Sequence, residues 1–283
     1  HINHQNFQRQ FGLKIHGLTA DTNSLEVGTG NTIAFAVTTD GSLLSGGTNL
    51  YDIFTGGGGG TSANLWSAST GLNSIIANNG SGNLASGNYS FVGGKNNTNS
   101  GNYSAVLNGS SNYTSGFHNL VGVGYKNSAT TNYSSVLNGL HNSVNETYSF
   151  IGNGYNNSVN ASYGTIVGGG NNLISNDFSF IGNGVANITS GRYSFIGNGY
   201  NNSVAGYASF IGGGVGNIAS GIGSFIGNGT GNTPSSILSF VGNGSGNTAS
   251  GAGSFIGNGT GNTASGIHSI IVGGRLNSAT TSY

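Results

Sequence analysis

Side chains able to do chemistry are scarce in this chain, and their spacing limits what they could do. The stretch from 74 to 283 holds two carboxylates, Glu146 and Asp177. They lie two fifteen-residue units apart, roughly 9 to 10 Å if each unit advances by ~4.8 Å, which is marginal for a pair of glycosidase acids, and no acid-base partner accompanies them. Asp177 and Arg192 share one position on adjacent units, which reads as a surface ion pair worth less than about 1 kcal/mol. His1 and His4 have the i, i+3 spacing of metal ligands, but a terminal tail explains them as well. His118 and His268 stand where Tyr otherwise recurs, so packing is the simpler role, although in a trimer each would form a ring of three. The phrase "GNGTGN" invites comparison with phosphate-binding loops. Such a loop is a single strand-to-helix turn ending in Lys-Ser/Thr, whereas this phrase recurs without either. Calcium-binding β-rolls need an Asp in every copy, and Asp177 is the only one in the stretch. No enzyme, cofactor or metal is therefore expected. The best candidates for contact with a glycan or another surface are Tyr125, Tyr155 and Tyr200, each following a Gly turn, because Tyr offers a flat apolar face with a polar tip.

Composition points the same way. Only 4% of the 283 residues are charged, against roughly 25% in an ordinary soluble protein, and the formal net charge is zero. Disorder driven by charge is excluded because Val, Ile, Phe and Tyr recur throughout. Collagen is excluded because the 56 glycines do not fall at every third position. No apolar run of about 18 residues exists to insert into a membrane, and "HINHQNFQRQ" has no apolar signal core. Without Cys there is no disulfide framework. Three Lys and three Arg make no basic stripe, so nucleic acid is not an expected partner. Sequons such as "NGT" at Asn228 and Asn258 follow from the repeat composition.

The repeat decides the architecture. "SFIGNG" begins at Ser149, Ser179, Ser194, Ser224 and Ser254, and with its Ser as slot zero the copies start every fifteen residues from Ser104 to Ser269. Irregular copies at Ser74 and Ser90 bring the number to fourteen. Slot two is always Val or Ile, slot five nearly always Gly, and slot eight always Asn in the regular copies. β-Branched residues favour strands, and Gly makes the turn. Asn tolerates left-handed backbone and can stack its amide on the next copy, which predicts a corner ladder. Each copy reads as one coil of a parallel β-solenoid, with a short strand near slots zero to three and a second one after the Asn.

Slots one and three lie on one face of the strand and share one space. Where slot one is Phe150, Phe180, Phe195, Phe210, Phe225, Phe240 or Phe255, slot three is Gly. Where it is Ala105, Ser135 or Thr165, slot three is Leu107, Leu137 or Val167. Volume is held, as close packing demands. Ile270 with Val272 departs from the rule, which predicts a locally different coil. Tyr133, Tyr148, Tyr163 and Tyr193, in the slot before the Ser, add to the same face. Such a face is too large an apolar patch for a monomer, so one side of the strand is expected inside the coil and the other against identical chains.

Stretches such as "NSVAGYASFIGGGVGNIASGIGSFIG" resemble the head repeats of trimeric autotransporter adhesins, which also occur in phage tail-fibre proteins. The resemblance covers about three quarters of the chain, but slot two is β-branched here where that family tends to have a small residue. It implies a left-handed parallel β-roll wound as a homotrimer on a bacterial or virion surface and used for attachment. It supplies no site residues.

Residues 1–55 lack the repeat and read as a β-rich connector module. A strand is expected at 32–38, then an Asp40-Gly41 turn, a second strand, and a short helix in "TNLYDIF" capped by Thr48. A Gly-rich joint spans 56–73 and the solenoid array 74–283. Together these features predict an all-β, extracellular, cell-surface or virion-surface fibre without catalysis, a phage tail fibre or bacterial adhesin rod that attaches to a host glycan or protein. The alternative is a purely structural filament whose chains contact end to end.

Overall fold

The computed structural model describes residues 13–15, 25–29, 32–37, 43–45, 48–49, 66–77 and 82–282. They fall into two compact units.

In the first unit β1 (Leu13–Ile15), β2 (Leu25–Thr29), β3 (Thr32–Val37), β4 (Leu43–Ser45) and β5 (Thr48–Asn49) form an antiparallel sheet in chain order. The expected strand at 32–38 is β3, and Val37 pairs with Leu43 of β4 as a hairpin requires. Thr48 does not cap a helix. It lies with Asn49 in β5, opposite Ser45, a short pairing that the β-branched Thr suits, and 50–54 of the expected helix lies outside the described residues, as does 56–65 of the Gly-rich joint. Trp66–Ala68 pairs antiparallel with Ile75–Ala77, and the solenoid makes about thirteen turns.

The second unit is the solenoid. Each regular coil contributes one strand at slots one and two, such as Phe195–Ile196, a single bridge at slot six, such as Tyr200, and a second strand at slots nine and ten, such as Ser203–Val204. Three parallel ladders therefore run along the coils. Alternation sets the faces: slot two (Ile151, Ile166, Ile181, Ile196) and slot ten (Val144, Val159, Ile174, Val204) are 0% exposed and make one apolar column inside the coil. The slot-zero serines are buried at 0 to 3% exposure and most bind turn carbonyls, as Ser209 Oγ donates to Gly221 O at 2.7 Å, whereas the hydroxyls of Ser254 and Ser269 are unpaired. This explains why the phrase begins with Ser. A small hydroxyl fits where a buried carbonyl lacks a partner.

Backbone sterics explain the glycines at slot five. Gly199 has φ +119°, and a Cβ there would collide with the carbonyl of Gly214 on the next coil. The left-handed corner residue is not the slot-eight Asn, as the sequence led one to expect, but its predecessor: Asn156, Asn171 and Asn201 have φ of 52 to 56°. Slot eight points inward, where its amide is needed for hydrogen bonding. Asn157 Oδ1 accepts the N–H of Asn172 at 3.0 Å, and Asn157 Nδ2 donates to Gly169 O at 3.0 Å and to Asn142 Oδ1 at 3.1 Å. The same pattern links Asn187, Asn202, Asn217 and Asn232. The second-strand ladder breaks between Ile218–Ala219 and Thr233–Pro234, where proline has no N–H to give.

Candidate functional site

With slots two and ten inside, the outward slots define what the solenoid can offer. The first face carries slots fourteen, one and three. Along its N-terminal half the rings of Tyr89, Tyr103, His118, Tyr133, Tyr148, Tyr163, Phe178 and Tyr193 form one continuous stack, with centroids 4.7 to 5.3 Å apart. Their backbones are left-handed, φ 54 to 58°, a conformation costly for aromatic residues. Stacking, worth about 0.5 to 1.5 kcal/mol per pair, offsets that strain. Toward the C-terminal half the stack passes to slot one, where Phe180, Phe195, Phe210, Phe225, Phe240 and Phe255 lie 4.7 to 5.0 Å apart. Slot fourteen there holds Ala208, Gly223, Leu238, Gly253 and His268 instead of a continuous run of aromatics.

At the Phe–Gly pairs the ring packs on the glycine at ordinary contact distance, and the atom nearest to a Cβ there is the carbonyl of the next coil, Gly212 O in the case of Gly197. Phe195 Cε1 lies 3.5 Å from the place a Cβ would take on Gly197, and the same relation holds at Phe180 with Gly182 and Phe210 with Gly212, both 3.4 Å. The ring folds back over the glycine of its own strand. Where the Gly is replaced by Leu107, Leu137 or Val167, those side chains are 41 to 49% exposed and fill the same layer. Ile270 and Val272, the pair outside the rule, are the most exposed of these positions, at 66% and 79%.

Tyr125, Tyr155 and Tyr200 lie on a second face, in the slot-six column, and all three point outward at 42 to 56% exposure. The fold aligns them without joining them: Leu140 separates the first two, and Gly170 and Val185 the second and third. Their settings differ. Tyr125 meets the edge of His141 at 5.7 Å and carries Lys126 Nζ 5.1 Å from its centroid. Tyr155 extends over Gly170, its Cζ and Cε1 standing where a Cβ of that residue would be. Tyr200 is the most open. On the same face slot four holds an exposed Asn in eight of the twelve regular coils, each followed by the slot-five Gly, with Val123, Gly168, Gly213 and Gly273 in the others.

The third face, slots nine and eleven of the second strand, carries no charged residue from Thr98 to Thr280 and is rich in Ser and Thr, as in Thr233/Ser235, Thr248/Ser250 and Thr263/Ser265. Tyr113 stands among them, its phenol held below its ordinary value of 10.0 by hydrogen bonds from Ser100 and then Ser115.

The remaining polar residues do not converge. Asp177 and Arg192 make no ion pair: Asp177 Oδ1 accepts the N–H of Ser162 at 3.0 Å, and the Arg192 guanidinium lies 5.2 and 4.9 Å from the rings of Phe178 and Tyr193. A neighbouring aromatic stack is a better partner for a weakly hydrated guanidinium than an already bonded carboxylate. His118 packs within the tyrosine stack, 5.3 and 5.2 Å from Tyr103 and Tyr133. Among the described residues no three His, Asp or Glu side chains come together in a metal-binding group. The sequence placed the slot-one Phe and slot-fourteen Tyr on one apolar face but did not show that their rings stack coil upon coil. No protein-family model and no curated protein matches the chain.

Proposed function

We propose that this chain is a non-catalytic fibre displayed on a cell or virion surface, a phage tail fibre or bacterial adhesin rod, in which three identical chains associate through the aromatic face and the outward tyrosines attach to a host glycan or protein. One observation carries the reading: a half-exposed apolar column runs along the first face coil after coil, from Tyr89 to Phe255. It far exceeds the patch that a monomer leaves in water. A partner must also repeat every ~4.8 Å to stay in contact over so many coils, and a parallel copy of the same solenoid does so. Three copies acting together raise weak single contacts to firm attachment through effective concentration. Near-zero charge makes that attachment insensitive to salt.

The test joins assembly to binding. Native mass measurement of the soluble protein should give three times the 28.2 kDa chain. The assembled protein should bind cells or immobilised glycans equally at low and high salt, and a Tyr125/Tyr155/Tyr200→Ser variant should bind less. A folded monomer sinks the assembly reading. Undiminished binding by the variant removes the tyrosines from the contact, and filaments with no binding to any surface move the protein to the structural-filament alternative.

A further inference from the structure

We infer that the slot-four asparagines are self-modifying sites, at which the fold sets the following glycine nitrogen to close on the asparagine amide and convert it to a carboxylate. Among the described residues Asn-Gly pairs stand at Asn108, Asn138, Asn153, Asn183, Asn198, Asn228, Asn243 and Asn258, every Asn exposed. Glycine is the residue that hinders such a ring closure least, having no Cβ beside the nucleophilic nitrogen. In six of them the Gly N–H donates to Oδ1 of its own Asn: at Asn108, Asn183 and Asn258 over 2.7 Å, at Asn138, Asn153 and Asn228 over 2.6 Å. That contact keeps the glycine nitrogen close to the side-chain amide it would attack, and proximity of this kind lowers an intramolecular barrier. It also leaves this N–H outside the ladder between coils, so reaction breaks no inter-coil bond.

The chemistry balances without any oxidant or cofactor. Base removes the glycine amide proton, the nitrogen attacks Cγ, the Cγ–Nδ2 bond breaks, and the amide leaves as ammonia after taking up a proton. Water then adds to either carbonyl of the five-membered imide and opens it to aspartate or isoaspartate. Each event replaces a neutral amide by a carboxylate in a chain whose acids and bases are six and six, so its net charge falls from zero by one at a time. The sites share one column, and neighbours such as Asn138 and Asn153 stand one coil apart, about 4.8 Å. A nearly uncharged face thus becomes an acidic stripe with age. The inference stands independently of the fibre reading.

The protein contains its own controls. Gly199 and Gly244 make no such bond to Asn198 and Asn243, and the Asn198 Oδ1 is turned toward Gly213 of the next coil. Asp177 N–H donates to Asn176 Oδ1 at 2.9 Å, the same contact but with a substituted residue in place of glycine. The buried Asn142, Asn157 and Asn172 are committed to the inner ladder.

The experiment incubates the folded protein in mildly alkaline buffer, samples it over time, and follows each asparagine by mass spectrometry of chymotryptic peptides with fragmentation that separates aspartate from isoaspartate, alongside released ammonia. The six bonded sites should convert, with Asn198, Asn243 and Asn176 slower by about tenfold, the rate factor of about 1.4 kcal/mol. The ladder asparagines should not change. In an Asn153→Gln variant, whose longer side chain disfavours the five-membered imide, conversion at that coil should vanish and the other five sites should be unaffected. No conversion in the folded protein, or Asn198 and Asn243 keeping pace with the six, would overturn the proposal.

Discussion

Replacing Asn157 by Ala tests the inner asparagine ladder most directly. The side chain is 1% exposed. It accepts the N–H and the side-chain amide of Asn172, both at 3.0 Å, and donates to Gly169 O at 3.0 Å and Asn142 Oδ1 at 3.1 Å; a fifth contact, to Asn153 O at 3.4 Å, is too long to count for much. Four good bonds at about 1 kcal/mol each, with the Asn172 N–H left buried and unpaired, give a loss of about 3 to 5 kcal/mol. The measurement is denaturant unfolding followed by circular dichroism, with amide exchange at Asn172 reporting the lost bond locally. Asn157→Asp adds a pH signature. The carboxyl keeps the acceptor but brings charge against the carbonyls of Gly169 and Asn153, so burial and repulsion raise its folded pKa above the unfolded value of about 3.9. An acid whose folded pKa is raised binds more protons when folded, so this variant should be most stable below about pH 4 and weaken as pH rises through that value. An Ala variant that loses less than about 1 kcal/mol with Asn172 still protected, or an Asp variant more stable at neutral pH than in acid, would refute the ladder as the source of corner stability.

Two further outcomes follow from the outward faces. Phe195→Ala removes two ring stacks and should cost about 1 to 3 kcal/mol in a separate chain but about 3 to 5 where a partner covers the ring, and adding Gly197→Leu, whose Cβ must displace the Gly212 carbonyl whichever residue stands at 195, should recover only part of that loss by filling the emptied layer as Leu107 does beside Ala105; a double variant that melts below both single ones disproves the shared-volume reading. Tyr113 should ionise below 10.0 in a spectroscopic titration and move back toward that value in Ser100→Ala, while an unchanged midpoint would show that the serine hydroxyls do not hold its phenolate.

The sequence by itself determined the fold class and the division of each strand into two faces. A fifteen-residue period with Val or Ile always at slot two leaves one regular solution, a parallel solenoid whose strand alternation puts slot two on one side and slots one and three on the other, while only the structure shows that slot two is the inner side. The exchange of Phe195 and Gly197 for Ala105 and Leu107 was legible for the same reason: two side chains on one face of a strand share a volume wherever that strand is placed. What the period could not reveal is where successive coils put their polar groups. Whether slot seven or slot eight takes the left-handed corner depends on which amide can reach the carbonyls of the coils before and after it, and that distance exists only once coils are stacked; hence Asn201 turns the chain while Asn202 bonds within it. The tyrosines divide likewise. Tyr133, Tyr148 and Tyr163 become a single stack because slot fourteen recurs at every coil, whereas Tyr125, Tyr155 and Tyr200 remain separate surface groups because Leu140, Gly170 and Val185 occupy the coils between them. The contrast between the bonded Asn153 and the unbonded Asn198 was likewise hidden in the identical letters "GNGY". It arises from side-chain orientation within the stacked coils, which tertiary structure alone decides.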